Sequence, residues 1–125
     1  MSSENDIQIQ VETQYLPNHL PPEEDKFAFS YRITITNGSE ENLKLLNRYW
    51  LITDGNAKTS EVYGAGVVGE QPTIKPNQQY RYTSGAVLDT PVGTMQGHYE
   101  FRRPDGSQFK APIPLFSLAV PNALN

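Results

Sequence analysis

Apolar residues recur at every second position along this chain, in short runs cut by turn residues. Ile7, Ile9, Val11, Thr13 and Tyr15 alternate with Gln8, Gln10, Glu12 and Gln14. A period of two sets one series on each face of a strand. Phe27, Phe29, Tyr31, Ile33 and Ile35 alternate with Ala28, Ser30, Arg32 and Thr34, the clearest strand pattern in the sequence. That run ends at Asn37-Gly38, a pair that accepts positive φ and predicts a tight turn. From Leu43 to Thr53 both parities are partly apolar, which predicts a central or bulged strand. Asp54-Gly55-Asn56 turns the chain into a shorter strand, Lys58 to Tyr63, and Pro76-Asn77 precedes another at Gln79 to Thr83.

Val92 to Phe101 carries Met95, Tyr99 and Phe101 on one parity and Gln96, His98 and Glu100 on the other. Arg103-Pro104-Asp105-Gly106 predicts a hairpin turn, with proline presetting the first corner and glycine relieving the last. Phe109 to Ile113 returns, and Leu115 to Leu118 predicts a short final strand. Seven or eight strands without a convincing helical stretch predict an all-β, antiparallel β-sandwich, with a closed barrel as the alternative. The length of 125 residues suits a single domain over 1–125. Residues 1–6 are polar and are expected to be disordered. Residues 16–26, with three prolines and three acids, are expected to form a mobile loop.

Charge and composition narrow the function classes. The net charge is −4, and residues 1–41 hold eight acids against Lys26 and Arg32. That acidic part repels phosphate backbones, and Arg102-Arg103 is the one basic doublet, so nucleic-acid binding is not expected. No apolar run approaches the roughly 20 residues of a spanning helix, so no membrane association is expected. There are no cysteines, which removes disulfides and thiolate chemistry. With no secretory leader in the pattern, a cytoplasmic location is expected.

Candidate chemistry is sparse. Gly64-Ala65-Gly66-Val67-Val68-Gly69 spells G-x-G-x-x-G, which in dinucleotide-binding folds opens a helix that holds a pyrophosphate. Pro72 follows too soon for a helix, so a loop between strands is expected, its glycines permitting positive φ or close backbone approach. A phosphate held by loop amides is the alternative, with Arg48, Lys75 and Arg81 as candidate charges. His98 and Glu100 stand two apart on one strand face and form a weak candidate for a shared metal ion. His19 lies in the acidic loop. Ser84 lacks the G-x-S-x-G elbow, and Glu23/Glu24 and Glu40/Glu41 lie in loop-like runs, so no catalytic residue is assigned. No cofactor is expected.

Five stretches in order resemble the bacterial ApaG family. They are residues 48–54 (RYWLITD), 64–72 (GAGVVGEQP), 82–85 (YTSG), 90–99 (TPVGTMQGHY) and 113–118 (IPLFSL). The resemblance implies an immunoglobulin-like or fibronectin-III-like sandwich. It also implies a glycine loop proposed as a pyrophosphate site, here Gly64, Gly66 and Gly69. It links the chain to cobalt and magnesium handling and to the gene neighbourhood of a dinucleoside-polyphosphate hydrolase. Similar domains serve as interaction modules inside larger eukaryotic proteins, including F-box proteins and a polymerase-interacting protein. Two positions depart from the pattern: Asn77 after Pro76, and Ala57 after Asn56, where glycine is common. The function expected is therefore a non-enzymatic binding module for an unidentified protein partner, with a homodimer possible. A pyrophosphate-containing nucleotide at 64–72 and a divalent metal are the alternatives.

Overall fold

The period-two pattern becomes eight strands in the computed structural model, which describes residues 2–122. They are β1 (Ile7–Tyr15), β2 (Phe27–Asn37), β3 (Leu43–Asp54), β4 (Thr59–Ala65), β5 (Thr73–Ile74), β6 (Gln79–Leu88), β7 (Val92–Arg102) and β8 (Gln108–Ala119). Every pairing is antiparallel. One sheet has the order β1-β2-β6. The other runs β4-β3-β7-β8, with β5 beside the start of β3. The two sheets enclose one core, which makes this the expected antiparallel sandwich.

Alternation decides which side chains fill it. Phe29, Tyr31, Ile33 and Ile35 point inward from β2, and Met95, Tyr99 and Phe101 point inward from β7; all are buried. Fully burying one such side chain contributes about 1.5–3 kcal/mol. Strand β3 is both central and bulged. Its register shifts between Leu45 and Asn47, so inward residues change from odd (Leu43, Leu45) to even (Trp50). The same device joins the two predicted C-terminal strands into one. The β7–β8 register shifts between Met95 and Gly97, and β8 points Ala111 and Ile113 inward before the shift and Leu118 after it. Leu115 falls on the outward parity there and is exposed.

One expectation needs correction. Asn37-Gly38 is not a tight turn with positive φ: β2 pairs with β1 and β6, and the chain crosses here to the other sheet. Gly38 does not adopt positive φ. The fully buried Asn37 side chain holds the crossing instead. Its Nδ2 donates to the carbonyls of Glu41 and Ile74, each at 2.8 Å, and its Oδ1 accepts from the Ser39 amide and hydroxyl at 2.9 and 2.7 Å. Met1 lies outside the described residues, and Ser2 meets the loop that follows the crossing. Glu41 accepts from the Ser2 amide at 2.9 Å and its hydroxyl at 2.8 Å, and Glu4–Asp6 forms one 3-10 turn. In the 16–26 loop a single 3-10 turn, Pro22–Glu24, interrupts the irregular path.

Two turn positions without glycine keep glycine-like backbone, with φ of 65° at Ala57 and 62° at Asn77. Asparagine tolerates this region, whereas alanine is strained there by its Cβ. Ala57→Gly is expected to raise stability by about 0.5–1 kcal/mol, since Ala57 is exposed and gives up no packing. A rise in melting temperature of roughly 2–4 °C checks it; a fall would mean the turn is not strained.

Candidate functional site

The glycine motif lies at the end of β4 and in the turn that follows. Gly64 pairs with Arg48 across the β3–β4 ladder. Val67 and Glu70 then close a tight two-residue turn by exchanging backbone hydrogen bonds of 2.8 and 3.0 Å. Val68 and Gly69 at its corners have φ of 48° and 80°, the paired positive angles of a type I′ hairpin turn. Gly66, with φ of 64°, is needed for close approach as well: a Cβ there would lie 2.1 Å from the Glu70 carbonyl oxygen. No helix starts here, as the sequence predicted. The amides of Gly66, Val67 and Glu70 are bonded to Leu46, Glu70 and Val67 carbonyls, so they are not turned toward a ligand.

The turn borders a cleft of about 300 Å³ between the sheets, lined by Tyr31, Arg48, Trp50, Tyr82, Ser84, Ala65 and residues 67–69. Arg48 Nη1 donates to the carbonyls of Ala65 and Gly66, each at 3.1 Å, so it fastens the turn. Behind it the Tyr82 and Tyr99 hydroxyls bond each other. Burial pushes both phenols far above their ordinary value, which keeps them neutral. Tyr31, across the β2–β6 ladder from Ser84, is raised chiefly by burial. Of the other candidate cations, Arg81 donates to Thr34 Oγ1 at 3.2 Å. Lys75 is not among the cleft's lining residues.

The remaining candidates are dispersed. His98 and Glu100 share the outer face of the larger sheet, with Nε2 to Oε2 at 3.7 Å. Glu100 Oε1 accepts from the Tyr63 hydroxyl at 2.5 Å and from Asn47 Nδ2 at 2.7 Å. The Tyr63 bond is the main cause of its lowered pKa. His98 stacks on Tyr49 at 5.1 Å, and its buried Nε2 has no hydrogen-bond partner. Among the described residues no third ligand joins them, so the pair is too small for a closed metal site. Ser84 lies between the sheets and His98 on the outer face, so they do not form a nucleophile–base pair. Arg102 is exposed. Arg103 donates to the Ser2 carbonyl at 2.8 Å and lies 4.6 Å over the Phe109 ring, which makes it a brace.

What the sequence did not reveal is that the sandwich is open on one side. Strands β1 and β8 touch along their flanks; among the described residues no comparable contact joins β4 to β6. Among the described residues strand β4 pairs with β3 alone, so its outer edge has no strand partner there. Six of its seven residues are exposed, including Val62 at 39% and Tyr63 at 61%. It contains no proline, whereas the β8 edge carries Pro112 and Pro114, which lack the N–H that edge pairing needs. The exposed Val68 lies just beyond the end of β4. The weak period of β4 concealed this, because an edge strand exposed on both faces has no apolar parity to read.

Eight antiparallel strands in a three- and a five-stranded sheet, with a glycine turn sealing one corner, define a small immunoglobulin-like sandwich domain. The sequence matches the family model of the ApaG domain over residues 17–103. It is 54% identical over 119 residues to a protein ApaG of Shewanella piezotolerans, covering 95% of this chain and 94% of that one. It is 51% identical over 123 residues to that of Pseudomonas paraeruginosa, covering 98% of each. The chain belongs to the ApaG family. A Northeast Structural Genomics Consortium target solved by X-ray crystallography matches with a TM-score of 0.92 and 52% identity, over 98% of this chain and 92% of that chain. The crystal structure of a Bordetella pertussis protein described as ApaA matches with a TM-score of 0.89 and 39% identity, over 94% and 96%.

Proposed function

We propose that the chain is a non-enzymatic interaction module that engages a protein partner through the open side at β4. The observation that carries this is the state of β4: an unpaired, proline-free edge exposed at six of seven positions. An exposed edge of this kind offers a row of backbone donors and acceptors to an added strand, and proteins ordinarily blunt or cover such edges. The dispersal of Ser84, His98 and the carboxylate pairs supports a role without chemistry.

A pyrophosphate ligand at Gly64, Gly66 and Gly69 has less support. Three turn amides are bonded within the protein, and Arg48 is committed to two carbonyls. Cobalt or magnesium binding by His98 and Glu100 has the 3.7 Å pair and no third ligand among the described residues.

The test is affinity capture from bacterial extract with the wild-type chain and with the Val62→Lys/Tyr63→Lys variant, whose two sites are exposed. The expected result is a reproducible partner retained by the wild type and lost on the variant, with both chains equally folded by near-UV circular dichroism. A partner bound equally by both would remove β4 as the contact; repeated failure to retain any partner would remove the module reading.

A further inference from the structure

We propose that the β4 edge accepts an extended peptide segment whose outward-facing residues are basic, added as a further antiparallel strand to the five-stranded sheet. This deepens the interaction reading above and rests on it. It commits to the chemistry of the partner.

The register defines the surface. Tyr49 pairs with Tyr63 and Leu51 with Glu61, so Glu61 and Tyr63 share the outer face, while Val62 pairs with the buried Trp50 and faces inward. Residues of an added strand would therefore alternate between lying beside Glu61 and Tyr63 and lying beside Val62. The outer side is acidic and aromatic. Glu61 lies beside the Tyr49 hydroxyl, whose pKa burial and that carboxylate push upward. Glu100 reaches the Tyr63 hydroxyl from β7. The nearest cations are otherwise placed. Arg48 is turned inward on the Ala65 and Gly66 carbonyls. Lys58, just before β4, is on the opposite parity to Glu61, His98 lies on β7 beyond Tyr49, and Lys110 lies on β8 beyond Glu100. A lysine or arginine opposite Glu61 would pair with its carboxylate across the strands, and its neighbour two residues on would lie against the Tyr63 ring. An apolar residue between them would cover Val62.

A second copy of this chain fits the edge less well. Antiparallel β4–β4 pairing centred on Val62 sets Glu61 of one copy diagonal to Glu61 of the other on the same face, within reach for like-charge repulsion. The net charge of −4 on each copy adds to it. An acidic segment is opposed by the same groups.

The experiment titrates the full chain, labelled with nitrogen-15, with two blocked seven-residue peptides: one alternating lysine with valine, the other glutamate with valine. The lysine peptide is expected to bind saturably and to shift the amides of Thr59–Ala65. Their hydrogen exchange is expected to slow by about tenfold when the site is saturated. The glutamate peptide is expected to leave β4 unchanged. Glu61→Lys is expected to weaken the lysine peptide about fivefold and to admit the glutamate peptide. Four results overturn the proposal: no effect of the lysine peptide on β4, equal binding of both peptides, indifference to Glu61→Lys, or protection appearing at β1, β6 or β8 instead. Capture of a partner that depends on Val62 and Tyr63, together with a lysine peptide that ignores β4, would uphold the module and reject the basic segment. Loss of both would reject the two together.

Discussion

Gly97→Ala is expected to destabilise the chain by roughly 3–5 kcal/mol, the largest effect of any single methyl addition considered. Gly97 pairs with Trp50 of β3 at the point where the β7–β8 register shifts. A Cβ at this position would stand 1.8 Å from the Tyr49 carbonyl oxygen, 2.9 Å from its carbon and 3.1 Å from the Trp50 Cα. All three are backbone atoms of the neighbouring strand, so no rotamer change relieves the clash. The sheet must separate at its centre, directly over Trp50, which packs edge-on against Tyr31, Tyr99 and Phe116 at ring distances of 5.5, 6.4 and 5.8 Å. A drop in melting temperature of roughly 12–20 °C, or failure to fold, is the expected outcome. Gly85→Ala is the control, because its Cβ would approach only the Phe29 carbonyl oxygen, at 3.3 Å. Similar small losses from both substitutions would show that the strand spacing around Gly97 is looser than described.

The second large effect is expected at Asn37. Asn37→Ala removes four hydrogen bonds from a fully buried side chain and leaves the Ile74 carbonyl and the Ser39 groups without it. Net bonds of this kind contribute about 1 kcal/mol each, and stranding their buried partners adds to the cost, giving roughly 3–4 kcal/mol in chemical denaturation. Leucine, of the same branched shape but bulkier, is expected to fare no better, since it cannot satisfy the crossing's backbone. A midpoint unchanged in both variants would show that water replaces the amide and that Asn37 is dispensable.

Much of the fold was legible because the strands are amphipathic. Phe29, Tyr31, Ile33 and Ile35 read as one buried face and are one. The Arg103–Gly106 hairpin was legible because proline and glycine have few other uses in that order; its 3.0 Å bond runs from the Gly106 amide to the Arg103 carbonyl. The Asn37-Gly38 crossing was not legible. The same dipeptide serves a hairpin or a change of sheet, and what decides is the partner of β2, a matter of residues some 40 or more positions away. That the glycine motif joins strands and opens no helix was legible through Pro72, but the two-residue turn and the commitment of Arg48 to it were not. The open side escaped notice because it depends on which strands lack neighbours, and alternation carries no record of that.

The topology also bears on how this chain reaches its native state. Hairpins β3–β4 and β7–β8 close over a few residues, yet β2 must wait for β6, with Phe27 matched to Leu88, and β3 must wait for β7, with Leu45 matched to Phe101. Closing such long loops before any reward in contacts places the domain among the slower folders, in the millisecond-to-second range. On the ribosome, the oily inward faces of β2 and β3 emerge dozens of residues ahead of the strands that cover them. That interval is when a nascent chain of this family has most need of a chaperone.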